Sequence, residues 1–223
     1  ILNHLHRGGV WSYWWVDQGR VSTWWPVGNW SKVPNSRANV YFGVHPVAQI
    51  PETNTRGERV KPSEARGQNK HISAINCLFG DFDAKDFGND KDTTLIHIGE
   101  LDPPPTLTID SGGGYHCYWF LDVPYLLNCD DARKRAIELQ RRWVDFIGSD
   151  RAVKDLARVF RVPGTRNFKE DYAPQFPTVS ILEFDKSRLY TIDDLENLLP
   201  EEKQQIDTSD LSLSDEQIIL RAH

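Results

Sequence analysis

Asp81 and Asp83 stand one residue apart at the end of an apolar run, Ser73–Asp83 (SAINCLFGDFD). If that run is a strand, its alternation sends both carboxylates to one face, with their Cα atoms about 6–7 Å apart. Two acids held together there would repel each other and lose hydration, so a cation is expected between them. Mg²⁺ or Mn²⁺ suits such oxygen ligands. The plain alternative is a strand-end turn with solvated acids. A second element is Ser111–His116 (SGGGYH), where Gly112, Gly113 and Gly114 allow a close backbone approach and can offer N–H groups to phosphate oxygens. His116 opens the outgoing segment and could reach the same phosphate; an ordinary hairpin with a satisfied histidine is the alternative. The third is Asp150–Lys169 (DRAVKDLARVFRVPGTRNFK), where Arg158 and Arg161 sit among apolar residues and need anions. Structural pairing with Asp150 and Asp155 would also satisfy them.

These residues require elements to position them. Asn39–Val47 and Ser73–Asp83 read as strands rich in β-branched and aromatic residues. Thr106–Ile109 and Tyr115–Leu121 flank the glycines and read as a hairpin. Asp130–Ile147 reads as a helix with Ala132, Ala136, Trp143 and Ile147 on one face, Asp130 as its cap and Gly148 as its stop. Val179–Phe184 reads as a further strand and Thr191–Leu199 as a short helix. Residues 50–71 are polar and rich in turn formers, which predicts a long loop or flexible excursion. Residues 1–38 are rich in Trp and Gly and show no clean period. Strands and helices mixed without strict βαβ alternation predict an α+β (mixed α/β) fold around an antiparallel or mixed sheet.

The chain has 223 residues, 39% of them apolar and 11% aromatic, as in a folded protein. No apolar stretch is long enough to cross a membrane, and no secretory leader is legible. Cys77, Cys117 and Cys129 are too scattered for a disulfide framework or zinc knuckle, which fits a reducing cytoplasm. The chain starts at Ile1 and has no Met, so it is expected to be a piece of a longer protein. The net charge of −6 is concentrated in the acidic segment from Asp185 onward, whereas Arg133–Arg142 and Asp150–Glu170 are locally basic. Local positive surface matters more for phosphate contact than the total.

In order and spacing, the three elements resemble the archaeo-eukaryotic primase (AEP) superfamily, and within it the primase-polymerases of plasmids and phages, including the RepB-like primases. Leu78–Asp83 corresponds to its strand ending in D-x-D, Ser111–His116 to its small-x-H strand, and Ser149-Asp150 to its hydrophobic-Asp motif. Ala157–Lys169 (ARVFRVPGTRNFK) is similar to the R-V-x-R-x-P-G-T-x-N-x-K stretch of mobile-element primases. The resemblance covers roughly residues 37–185. It implies an AEP-type core with an RRM-like sheet flanked by helices, plus an N-terminal α/β subdomain.

It also implies that Asp81, Asp83 and Asp150 hold two Mg²⁺ or Mn²⁺ ions. His116, Ser111 and the backbone of Gly112–Gly114 would hold the triphosphate of an NTP or dNTP, with Arg158 and Arg161 in support. The activity implied is that of a DNA primase and DNA-directed polymerase on a single-stranded DNA template, in replication of a mobile element. Ser149 departs from the pattern's hydrophobic residue, and Asp155 is the alternative third carboxylate. The zinc cluster of some relatives is absent.

The expected organisation is a Trp-rich segment over 1–38 packing on the core, a catalytic domain over 39–200, and an acidic linker or next domain over 201–223. A helicase beyond residue 223 would suit a replication protein. The N-terminal tryptophans read either as packing or as stacking partners for template bases. Competing readings are a metal-dependent nuclease or phosphodiesterase, a non-catalytic single-strand-binding module, and a rolling-circle initiator nuclease hinted at by His4-Leu5-His6.

Overall fold

Apolar residues on both faces of a strand require a layer on each side, and the central strand here has that pattern. The computed structural model describes residues 1–35 and 37–201. Strand β4 (Ala74–Asp83) is buried along nearly its whole length. It pairs antiparallel with β6 (Gly114–Leu126), β6 with β5 (Leu107–Asp110), and β5 with β8 (Ser180–Phe184), giving a sheet of order β4-β6-β5-β8. The expected glycine hairpin is therefore β5–β6.

One face of this sheet carries Ile75, Leu78, Phe82, Trp119 and Leu121 into a core shared with helices. Those helices are α3 (Asp130–Phe146), α2 (Lys91–Gly99) and α4 (Ile192–Asn197), which contribute Leu139 and Trp143, Ile98, and Leu195 respectively. The opposite face carries Cys77, Phe79, Tyr118 and Phe120 into a second core. A bulge between Ile75 and Cys77 shifts the register at that point of β4.

The second core is closed by another antiparallel sheet of order β2-β1-β3-β7, called the first sheet because it comes first along the chain. Its strands are β1 (Trp11–Val16), β2 (Val21–Pro26), β3 (Val40–Gly43) and β7 (Val159–Arg161). The short helix α1 (Leu2–Leu5) lies at its start and buries Leu5. The result is an α+β fold of three layers, sheet on sheet on helices, and every pairing between the named strands is antiparallel.

Strands β1 and β2 fall in the segment where no period was legible. The reason is that aromatic residues occupy both faces of the hairpin. Trp14 and Trp25 point into the core, while Tyr13, Trp15 and Trp24 lie on the other face. Helix α2 was not expected either, because it buries only Thr94 and Ile98. The cap of α3 is Cys129, not Asp130: the Cys129 Sγ accepts from the Ala132 N–H at 3.5 Å, and Asp130 and Asp131 fill the first turn, where the helix dipole favours acids. Residues 50–71 do form a loop, but it is tied to the first sheet, where the Trp24 indole donates to the Pro62 carbonyl at 2.8 Å. The acidic segment expected after residue 200 lies outside the described residues apart from Glu201. No described helix is long and apolar enough to cross a membrane.

The two N-terminal histidines are structural. His4 Nε2 bonds the Leu121 carbonyl at 2.7 Å and His6 Nε2 the Gly43 carbonyl at 2.9 Å. Burial pushes His6 down to about 4 and His45 down to about 3, and both nitrogens of His45 lack a partner. The unfolded chain therefore binds more protons than the folded one below about pH 6.5, and stability falls from there toward pH 3. The variant His45→Phe should melt at or above the wild-type temperature at pH 7 and lose less stability between pH 6.5 and 4. Thermal melts across that range check this, and an unchanged acid limb would count against it.

Candidate active site at the end of β4

Asp81 and Asp83 leave β4 on the face turned toward the first sheet. The register sets Asp81 opposite His116 and Asp83 opposite Gly114 on β6. At Gly114 a side chain would collide with the Phe82 carbonyl oxygen, 2.1 Å from an added Cβ, so glycine allows the two strand ends to close. His116 Nε2 lies 3.8 Å from Asp81 Oδ1. The His116 ring stacks on Phe160 of β7 at 4.2 Å between centroids, which places it between the two sheets.

Asp150 reaches the same place through the backbone. Strand β4 is the edge of its sheet, and its outer edge is satisfied by groups following and within α3. The Gln140 side chain accepts from the Phe79 N–H and donates to the Phe79 carbonyl, and the Asp150 N–H donates to the Asp81 carbonyl at 2.9 Å. Gly80 makes this approach possible: an added Cβ would lie 2.6 Å from Ile147 and 3.1 Å from Ser149. The small Ser149 thus fits where the motif has a hydrophobic residue. Asp155 instead pairs with Arg158 at 2.7 Å.

The electrostatics follow from this crowding. The Asp81 side chain keeps 30% of its surface open, yet it is rooted deep among protein atoms. Burial first, then the Asp83 and Asp150 carboxylates, push its carboxyl up to about 7, against the opposing pull of Arg161 and Arg158. Burial holds the His116 imidazole well below its usual range, with Arg161, Lys169 and Arg158 adding to this. His116 is therefore a neutral ring, almost fully enclosed, whose Nδ1 has no protein partner.

Among the described residues, no three His, Cys, Asp or Glu side chains stand close enough to ligate one ion. The aspartates share an electrostatic field rather than a closed cage. Their chemistry still fits a hard divalent cation, because carboxylate oxygens are the donors and the Asp81 carboxyl is raised despite its arginine neighbours.

The remaining expected residues divide into two groups. Ser111 is buried, and its carbonyl accepts from the Asn167 side chain at 3.0 Å. Gly112 donates its N–H to Asp110 at 2.8 Å, and Asp110 in turn accepts from Lys91. Arg161 is fixed by Asn39 and the Tyr41 hydroxyl, and Arg158 also bonds the Ala152 carbonyl.

Two clefts open beside the carboxylates. One, of about 400 Å³, is lined by Asp81, Asp150, Ser149 and Arg151. The other, of about 580 Å³, is lined by Asp83, Lys85, Lys91, Gly112, Gly113 and Lys169, with Tyr172 at its wall. The sequence reading did not assign a role to these lysines or Tyr172. Lys85 follows the D-x-D closely and Lys169 ends the arginine stretch, but nothing local marks Lys91 or Tyr172.

Relief of the carboxylate crowding gives a stability test. A carboxyl raised to about 7 stabilises the fold below its unfolded pKa near 3.9 and loses that contribution as pH rises through 7. Asp81→Asn should therefore melt higher than wild type at pH 8 in EDTA, with the difference vanishing near pH 4. Millimolar Mg²⁺ or Mn²⁺ should raise the wild-type melting temperature at pH 8 and leave Asp81→Asn unmoved. Equal metal shifts in both proteins would remove Asp81 from the ligand set.

No family model matches the chain. A replication protein of Clostridium perfringens is 30% identical over 141 residues, 60% of this chain and 33% of that protein. An uncharacterised protein of Methanocaldococcus jannaschii is 29% identical over 147 residues, 61% of this chain and 11% of that protein. The chain thus spans a third or less of the length of these relatives. Among solved structures, the AEP domain of the cyanophage S-2L primase-polymerase matches with a TM-score of 0.54 at 18% identity, covering 86% of this chain and 89% of that one. A crystal structure of primase RepB′ matches more loosely, with a TM-score of 0.43 at 13% identity over 94% of this chain and 62% of that one. The chain has the fold of the archaeo-eukaryotic primase-polymerase domains, the superfamily its three motifs resemble.

Proposed function

We propose that this chain is the catalytic domain of a replication primase-polymerase, a nucleotidyltransferase that builds and extends strands on a single-stranded DNA template. The observation that supports the reading is the backbone bond that holds Asp150 against Asp81 on β4, the strand that also carries Asp83, beside His116 and a lysine-lined cleft. The three carboxylates would hold Mg²⁺ or Mn²⁺, which when bound would make a 3′-hydroxyl more acidic and neutralise charge on phosphate oxygens. The bond made joins that hydroxyl to the α-phosphate of an incoming nucleotide, and pyrophosphate leaves.

The chain's own groups orient the reactants. Lys85, Lys91 and Lys169 line the cleft on the Asp83 side, where Lys85 pairs with Asp83 and Lys91 with Asp110, and Lys169 would supply positive charge for a triphosphate. Lys169 forms no ion pair among the described residues, so its charge is available to a ligand. Neutral His116 sets its Nε2 3.8 Å from Asp81 and brings no charge of its own to the site. Buried Arg161 is locked in place and offsets the aspartates.

The setting would be replication of a plasmid, phage or other mobile element, with a helicase as a partner or following domain. A nuclease or phosphodiesterase could use the same carboxylates, and a single-strand-binding module would need none of them.

Extension of a labelled primer on a DNA template separates these readings. Wild type should incorporate nucleotides in Mg²⁺ or Mn²⁺, and Asp83→Asn should lose at least a hundredfold in rate while melting normally. Lys169→Ala should raise the KM for nucleotide more than it lowers kcat. Shortening of the labelled DNA without nucleotide dependence would instead identify a nuclease. Near-normal extension by Asp83→Asn would refute the site.

A further inference from the structure

The outer face of the first sheet carries a row that the carboxylate site does not explain. The register pairs Trp15 of β1 with Tyr41 of β3, and Tyr41 with Arg161 of β7. Directly opposed residues share a face, so these three side chains stand side by side. The Trp15 and Tyr41 rings lie 5.3 Å apart. Arg161 Cζ sits 5.3 Å from the Tyr41 ring centre, and Arg66 Cζ sits 4.7 Å from that of Trp15. The row therefore reads arginine, indole, phenol, arginine.

Packing does not consume this row as it does its neighbours. Trp14, one residue away, is buried in the core and donates its indole N–H to the Ser31 carbonyl. Trp24 is held by the Pro62 carbonyl and lies against buried Tyr13. Trp15 and Tyr41 remain half-buried, and the Trp15 indole has no hydrogen-bond partner among the described residues. Nearby acids are engaged elsewhere: Asp17 accepts from Asn39, and Asp155 pairs with Arg158. Arg66 also lines a polar cleft of about 420 Å³ with Asn54, Gln68 and Asn69.

The row ends beside the carboxylates: Arg161 follows Phe160, whose ring stacks on His116, and His116 stands opposite Asp81 in the ladder. Half-buried aromatic rings beside arginines match the two parts of a single strand, base faces and phosphates.

We propose that Trp15 and Tyr41, flanked by Arg66 and Arg161, form a stacking platform for bases of single-stranded DNA entering the carboxylate site. This rests on the reading of the chain as a template-dependent polymerase and locates where its template lies. The stack would be tolerant of sequence, because every base has a π-face. Arg66 would contribute charge, making part of the binding sensitive to salt.

Fluorescence anisotropy with a labelled 20-mer of thymidylate, in EDTA and without nucleotide, tests the platform apart from catalysis. Trp15→Leu should weaken binding about 5- to 150-fold, the equivalent of ~1–3 kcal/mol for one stacked base, and Trp15→Tyr should keep most of it. Arg66→Gln, at an exposed position, should weaken binding several-fold and flatten its salt dependence. It serves as the second variant if Trp15→Leu does not fold. Wild-type affinity in both folded variants would overturn the platform while leaving the polymerase reading intact. Weakened binding in a protein that incorporates no nucleotide would keep the platform and remove the polymerase reading.

Discussion

Much of the site depends on how the open edge of β4 is satisfied. An edge strand presents backbone groups that must find partners, and here they find Gln140 from α3 and the Asp150 N–H that follows it. That solution binds the third carboxylate to the strand that carries the other two. It works only because Gly80 lets the Ile147–Ser149 corner come within contact distance. The position of Asp150 is thus a consequence of one edge contact, and α3 is both a packing element and the arm that delivers Asp150.

Charge is organised by the same geometry. Asp81 is squeezed by burial and by two like charges, while His116, across the ladder, is held neutral by burial and nearby cations. The two groups therefore do not neutralise each other as an ion pair. The first sheet contributes Arg161 and Phe160 to this boundary, so neither sheet alone would make the site.

Some elements were readable because one signal dominated each. The apolar run ending in D-x-D read as a covered strand, and the glycine run between two β-rich segments read as a turn. Strands β1 and β2 were hidden because tryptophans face both sides, which erases the alternation a half-buried strand normally shows. Helix α2 was hidden because it buries two residues, and the cap of α3 because a thiol took the place of a carboxylate. Lys91 and Tyr172 reach the cleft only through chain folding, and no local pattern announces them.

By itself, the sequence determined the α+β class, the strand carrying Asp81 and Asp83, the glycine turn before His116 and the arginine stretch, because local periodicity and residue chemistry specify these. Only the tertiary structure decided which distant groups meet. It set Asp150 rather than Asp155 against Asp81, enclosed His116 as a neutral ring, tied Arg158 to Asp155, and left Trp15 open while burying Trp14. The physical reason is that hydrogen-bond satisfaction at a strand edge and the choice of face in a sheet depend on neighbours far away in the chain. Residue types permit those contacts, and packing selects among them.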